Sequence, residues 1–256
     1  MALAVLVRQF VVRELTDRFA GSFSGALWAL MQPLIQLSIT AFVFVHVFKA
    51  RVPGSSTIGY VPFLALALWP WVAFSEAVLR STTKITDNAA LIGKVALPRE
   101  VLVFASVGAS FVLHTMGFVA VVLVLALTGQ GIHLQGLVPS LLLFIPLGAL
   151  ALGTALICAS IQVFVRDLVL ALGQLLPLMM FAAPVYYDRD QLPERYRYLL
   201  DFNPFTFYAE SFRALLLDHG VFAFQPLVIA SLVATATLLA GHWIFRRLDS
   251  HFEDFL

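Results

Sequence analysis

Charge is what this chain has least of. Asp, Glu, Lys and Arg make up 12% of its 256 residues, where a soluble domain carries about a quarter. Hydrophobic residues supply 61%, and the mean hydropathy is +0.92. That balance excludes an ordinary water-soluble fold and reads as an integral membrane protein. A formal net charge of +1 offers no field for nucleic acid. The single cysteine, Cys158, excludes an internal disulfide framework. Lying in an apolar run, it reads as a small packing residue.

Chemistry is as scarce as charge. No G-x-x-x-x-G-K-S/T loop occurs, so the chain is not expected to bind ATP itself. H-E-x-x-H, C-x-x-C and G-x-S-x-G are absent too, and no metal or catalytic residue is expected. Glu76, near the inner end of a span, is the one acid within an apolar run. His114 stands near the middle of another and, without an acidic partner, reads as an interhelical hydrogen bond rather than a proton carrier. This scarcity argues against an ion-coupled transporter, which needs intramembrane acids or unwound ion sites. The apolar stretch Ala2–Val7 is too short for a signal-peptide core, so no cleavable leader is expected.

What remains is apolar length. Six runs, at about 26–48, 58–79, 101–128, 137–165, 168–187 and 222–245, each reach the roughly 20 residues that cross a bilayer as a helix. Trp28, Tyr60, Trp69, Trp71, Tyr186 and Trp243 serve as interfacial aromatics. The fold expected is an all-α integral membrane domain of six transmembrane helices. Placing both termini in the cytoplasm puts ten Lys and Arg inside and six outside. This is the positive-inside bias. The connection Gly129–Gly136 carries neither, as suits an outer loop.

Residues 1–22 precede the first run. Val11, Val12, Leu15 and Phe19 share one helical face, with Arg13, Glu14, Thr16 and Asp17 opposite, a pattern for a helix lying in the membrane surface. The cytoplasmic segment Leu79–Leu102 is polar and broken by Gly93 and Pro98, so one helix should end near Lys94 and the next begin at Pro98. It is either a solvated loop or a docking segment. The next cytoplasmic connection is only Val165-Arg166-Asp167.

Between the fifth and sixth runs, residues 188–221 are too wet for a span and too helical for a linker. Pro193 and Glu194 start a short helix to about Leu200. Asn203 is a good N-cap and Pro204 suits the first position of a second helix. That helix carries Phe205, Tyr208, Phe212, Leu215 and Leu216 on one face. Thr206, Glu210 and Arg213 lie opposite, Glu210 and Arg213 spaced to pair, and Gly220 ends it. The segment is either a re-entrant helical pair on the outer side or a hairpin lying flat on the membrane. Small residues four apart, Ala149/Gly153 and Ala151/Ala155, suit close helix packing on the fourth span.

Three stretches together resemble one family. RELTDRFAGSFSGALWALMQP (Arg13–Pro33), SEAVLRSTTKITDNAALIGKVALPRE (Ser75–Glu100), and VFVRDLVLALGQLLPLMMFAAPVYY with LPERYRYLLDFNPFTFYAESFRALLL (Val163–Tyr187 and Leu192–Leu217) resemble type-2 ABC exporter permeases. The resemblance is to those that export O-antigen, capsule or teichoic acid. It implies a homodimer of six-span subunits in the bacterial inner membrane, paired with two ATP-binding-cassette ATPase subunits that hold the ATP and Mg. The cargo implied is a polysaccharide on polyprenyl diphosphate. By the same resemblance Phe42, Phe44, Phe181, Tyr186 and Tyr187, on the first and fifth spans, line the channel. Asn203, Pro204, Tyr208 and Phe212 belong to a periplasmic gate. Asp87, Lys94 and Arg99 contact the ATPase, and Arg166 and Asp167 mark the inner channel end. A drug, lipid or other small-molecule exporter is the alternative, and a membrane protein with no ATPase partner a third.

The topology has a direct test. With Cys158 replaced, single cysteines at Ser55, Gln135 and Gln191 should react with an impermeant thiol reagent in intact cells, and those at Thr83 and Ser250 should not. Labelling of Thr83→Cys from outside overturns the six-span arrangement.

Overall fold

The computed structural model describes residues 2–19, 27–49, 59–94, 97–217 and 224–255. The expected span starts at Ala26, Ile58 and Phe222, the helix stop at Gly220 and the loop site Ser55 lie outside the described residues. Within them the chain is helical, with no strand. The α-helices are α1 (Ala2–Phe19), α2 (Leu27–Phe42), α3 (Tyr60–Thr82), α4 (Lys84–Asp87), α5 (Ala89–Ile92), α6 (Glu100–Leu127), α7 (Leu137–Phe164), α8 (Leu168–Phe181), α9 (Glu194–Asp201), α10 (Phe205–Leu217) and α11 (Phe224–Asp249).

Four helices among the described residues are long and apolar enough to cross a membrane: Tyr60–Thr82, Glu100–Leu127, Leu134–Phe164 and Leu227–Asp249. Two of the six expected runs are shorter as helices. The first carries the buried Pro33 inside α2 and finishes in π-helical turns, Val43–Val47. The fifth was expected to run to Tyr187, but α8 ends at Phe181 after 14 residues. The reason is Pro184, which has no N–H to continue the ladder and biases Ala183 away from helical geometry.

Helix α3 is the central column. Leu64, Leu66, Ala67, Ala73, Ala77 and Val78 are fully buried, and α2, α6, α7, α8 and α10 all pack on it. Its small residues let neighbouring backbones approach, which drives helix association where lipid removes the hydrophobic contrast. The break between α5 and α6 falls where Gly93 and Pro98 place it, with α6 starting at Glu100.

Helices α7 and α11 approach each other backbone to backbone. A Cβ on Gly153 would stand 2.5 Å from the Thr237 carbonyl, and one on Gly241 would stand 2.3 Å from the Gly153 oxygen. These backbones touch only because both positions are bare. The small-residue pattern on the fourth run marked Gly153 correctly, while its counterpart Gly241 carried no such mark.

Gly153→Val and Gly241→Val should each push the two helices apart, an overpacking cost of about 1–3 kcal/mol or more. Both should lower the unfolding temperature in detergent, read by thermal-shift fluorescence. Gly173→Ala, where nothing lies within 4 Å of the new carbon, should not. Equal thermal stability of all three would show that this contact does not hold the fold.

Candidate functional site

One end of the helical bundle is organised by an unwound turn. After α8 the chain leaves helical geometry over residues 182–187, so its carbonyls need donors from elsewhere. Arg213, buried on α10, supplies them. Its Nη1 donates to Pro184 O and its Nη2 to Val185 O, both at 2.6 Å, while Nε donates to Phe63 O at 2.9 Å. The Tyr60 hydroxyl donates to Tyr186 O at 2.6 Å. The guanidinium also lies 3.4 Å from the centre of the Phe63 ring, a cation–π contact that suits a desolvated cation.

This corrects two expectations. Arg213 does not pair with Glu210 in a salt bridge, and neither it nor Thr206 is on a wet face. Thr206 is buried, its hydroxyl donating to Leu200 O. Glu210 instead stands 3.7 Å from Arg189, which binds Asp201 at 2.7 Å. Asp201 holds the Arg189 guanidinium above its ordinary value, and burial pushes the Glu210 carboxyl up.

Four of the five expected channel aromatics meet at this turn. Phe44 stacks on both Tyr60 and Tyr186, with ring centres 5.4 and 5.5 Å apart. Phe181 lies 5.0 Å from Tyr186, and Tyr187 donates its hydroxyl to Phe181 O. Phe42 does not join them; it stacks on His46 and is 60% exposed. Tyr60, which the sequence marked only as an interfacial ring, is a full member of the group.

Asn203 joins two helix ends. Its side-chain oxygen accepts from Phe205 N, capping α10, and its amide donates to Met179 O in the last turn of α8. Pro204 follows it in the break between α9 and α10. Phe205, just beyond, packs edge-on against Trp71 at 4.9 Å. Trp71 is 11 residues into α3, about 16 Å along its axis at the usual helical rise, so the break lies about halfway down that column. Tyr208 and Phe212 are buried. Phe212 packs at 5.2 Å against both Phe118 of α6 and Phe144 of α7. At the far end of α10, His133 N–H donates to Leu216 O, and Gly136 lies so close that a Cβ would overlap the Leu215 carbonyl.

The other end of α3 has its own cluster. Glu76 accepts from Arg80 at 2.9 Å, meets Arg18 at 3.0 Å, and lies 2.8 Å from His114 Nε2. His114 therefore has the acidic partner that its sequence surroundings did not suggest, contributed by α3 across the interface with α6. Arg18 also donates to Ser110, and Lys84 meets Glu14 at 2.6 Å. These contacts turn Glu14 and Arg18 of α1 inward, and Val12 is exposed, while Val11 and Leu15 are half-buried and Arg13, Thr16 and Asp17 exposed as the expected faces require.

Asp87, Lys94, Arg166 and Asp167 are exposed. Asp87 and Arg166 line one cavity of about 390 Å³ with Gln162 and Phe255. Gln162 pins the Arg166-Asp167 turn, its amide donating to Arg166 O and its oxygen accepting from Val169 N. Arg99 is set apart: its guanidinium is taken up within the chain by Asp249 and Glu253 near the C-terminal end.

The sequence pattern of the ABC-2 type transporter family matches residues 5–217. The chain is 27% identical to the O-antigen export system permease protein RfbA of Klebsiella pneumoniae, over 95% of this chain and 92% of that one. It is 28% identical to the RfbA protein of Myxococcus xanthus, over 97% and 94%. Against the polysialic acid transport protein KpsM of Escherichia coli it is 25% identical, over 94% and 93%.

Arg213→Leu strands the carbonyls of the turn, and each buried acceptor without a donor costs about 1–3 kcal/mol. Its unfolding temperature in detergent should fall well below that of Arg213→Lys, which keeps one cationic donor. Asn203→Leu, losing a cap, should cost about 1 kcal/mol. Wild-type stability in Arg213→Leu would show that the turn is held by other contacts.

Proposed function

The chain belongs to the ABC-2 type transporter family, and from that premise we propose that it is the permease subunit of an ATP-driven exporter that moves a lipid-linked polysaccharide across the bacterial inner membrane. The carrying observation is the alignment with named O-antigen export permeases along nearly the whole chain, outer helical pair included. The cluster of aromatic rings at the outer turn supports it. A ring offers a flat apolar face over which the C–H face of a sugar can pass without fixed hydrogen bonds. In this reading a protein homodimer forms the channel, and two separate ATPase chains bind ATP and Mg.

The six spans are then α2 with its π-helical end, α3, α6, α7, α8 and α11, with both termini in the cytoplasm. Phe42, Phe44, Phe181, Tyr186 and Tyr187 belong to the walls of the path. The α9–α10 pair dips into the outer half of the membrane and gates it. Asn203-Pro204 set its turning point, while Tyr208 and Phe212 anchor it in the subunit interior. A protein-covered turn is what a re-entrant segment requires, and Arg213 and Asn203 fit that requirement.

On the inner side α1 and the segment through α4 and α5 receive the ATPase. Asp87 and Lys94 are the exposed charges there, and Arg166 and Asp167 flank the inner end of the path. Arg99, committed to Asp249 and Glu253, acts by holding the C-terminal end in place. The Glu76 cluster joins α1 to α3 and α6, so a push on α1 reaches the central column through ion pairs.

Deleting the gene should abolish surface polysaccharide and leave lipid-linked polymer inside the cell, scored by gel and by lipid extraction. Normal surface polysaccharide in the deletion strain overturns the reading. Asp87→Lys and Lys94→Glu should leave the protein inserted and dimeric while lowering polymer-stimulated ATP hydrolysis several-fold. Unchanged hydrolysis in both would make the segment a solvated loop.

A further inference from the structure

A cavity of about 610 Å³ opens between the outer helical pair and α11, within the roughly 300–1,000 Å³ of small-molecule pockets. One side is polar and carries Arg189, Asp201 and Glu210. Phe202 and Phe207 contribute aromatic surface, and Phe202 is 80% exposed. Helix α11 closes the cavity with aliphatic side chains, Ile229 and Val233.

Two buried polar atoms here have no hydrogen-bond partner among the described residues. One is the hydroxyl of Tyr208, a residue only 1% exposed. The other is Glu210 Oε1, whose nearest cation, Arg189, is beyond hydrogen-bond range at 3.7 Å. Buried polar groups in folded proteins are almost always hydrogen-bonded, so a hydroxyl and a carboxylate oxygen without hydrogen bonds, on two residues that line one cavity, point to a ligand.

We propose that this cavity binds a sugar unit of the exported glycan, and that it takes neutral or amino-substituted sugars in preference to acidic ones. The inference rests on the exporter reading above. A pyranose donates hydroxyls to Asp201 and Glu210, accepts from Arg189 and Tyr208, and lays its C–H face on Phe202. A lipid acyl chain would leave the Tyr208 hydroxyl and the Glu210 oxygen without partners. The two carboxylates outnumber the one guanidinium, so a uronate or sialate would meet like charge, while an ammonium on an amino sugar would meet opposite charge.

The test uses the full chain with its ATPase partner in lipid nanodiscs, titrated by saturation-transfer NMR. The probes are chitotetraose (neutral), the chitosan tetramer (cationic) and tetragalacturonate (acidic). The first two should bind, and the acidic probe should bind at least about tenfold more weakly. Glu210→Gln and Asp201→Asn should each weaken the chitosan tetramer about tenfold, the usual size of a charge-assisted hydrogen bond. Tyr208→Phe should weaken chitotetraose several-fold with no fall in unfolding temperature.

Equal binding of neutral and acidic probes overturns the proposal, as does unchanged binding in Glu210→Gln and Tyr208→Phe. Failure of every probe to bind, in a protein whose deletion strain still accumulates polymer inside, overturns the cavity's role and spares the exporter reading. Normal surface polysaccharide in the deletion strain overturns both.

Discussion

A backbone that leaves the helix inside a membrane protein must find donors and acceptors from its own chain, because lipid offers none. Arg213 answers that demand here. Three of its nitrogens are spent on carbonyls of α3 and the turn after α8, so one side chain ties α10, α3 and the end of α8 together. The aromatic group of Phe44, Tyr60 and Tyr186 is stacked on the turn that Arg213 shapes. Asn203 performs the same service one helix end away, joining α8 to α10. Arg suits the task better than Lys. Its planar fork places several donors in fixed directions, where an ammonium is a point charge that attracts water.

The Glu76 end of the molecule solves a different problem. Glu76, Arg18 and Arg80 bring charge into an apolar chain, and the Glu76 carboxylate is shared among both arginines and the His114 ring. Together they bind α1 laterally to α3 and α6. The same column, α3, carries the Glu76 cluster toward one end and the Phe63 contact with Arg213 toward the other. The two groups are therefore joined through one helix, whose buried alanines pack closely against its neighbours.

Much of this was legible in the residues. Helices α6 and α7 fall within a residue or so of the apolar runs that announced them, because length and hydropathy are local properties. The Asn203-Pro204 break was equally plain, since capping chemistry acts over three or four positions. What could not be read was partnership. Nothing near Arg213 in sequence names Pro184 or Val185 as its acceptors, and helical spacing suggested Glu210 instead. Glu76 and His114 lie 38 positions apart on helices whose facing sides only packing decides. The early end of α8 did have a signal, Pro184, masked by the apolar residues continuing past it. The candidate site divides the same way: the sequence could mark Phe44, Phe181, Tyr186 and Tyr187 as aromatic, but their assembly around Tyr60 depends on the Arg213 turn.

The shortness of α8 has a consequence for the bilayer itself. Fourteen helical residues rise about 21 Å, while a typical hydrocarbon core is about 30 Å thick. A stretch that falls short of the apolar slab is matched by local thinning or by water reaching inward. In the six-span reading proposed above, the insulating layer beside α8 is narrower than beside the longer helices. A hydrated polymer passing there would shed its water over a shorter distance, and the dielectric barrier to its crossing would be lowered by the geometry of the wall.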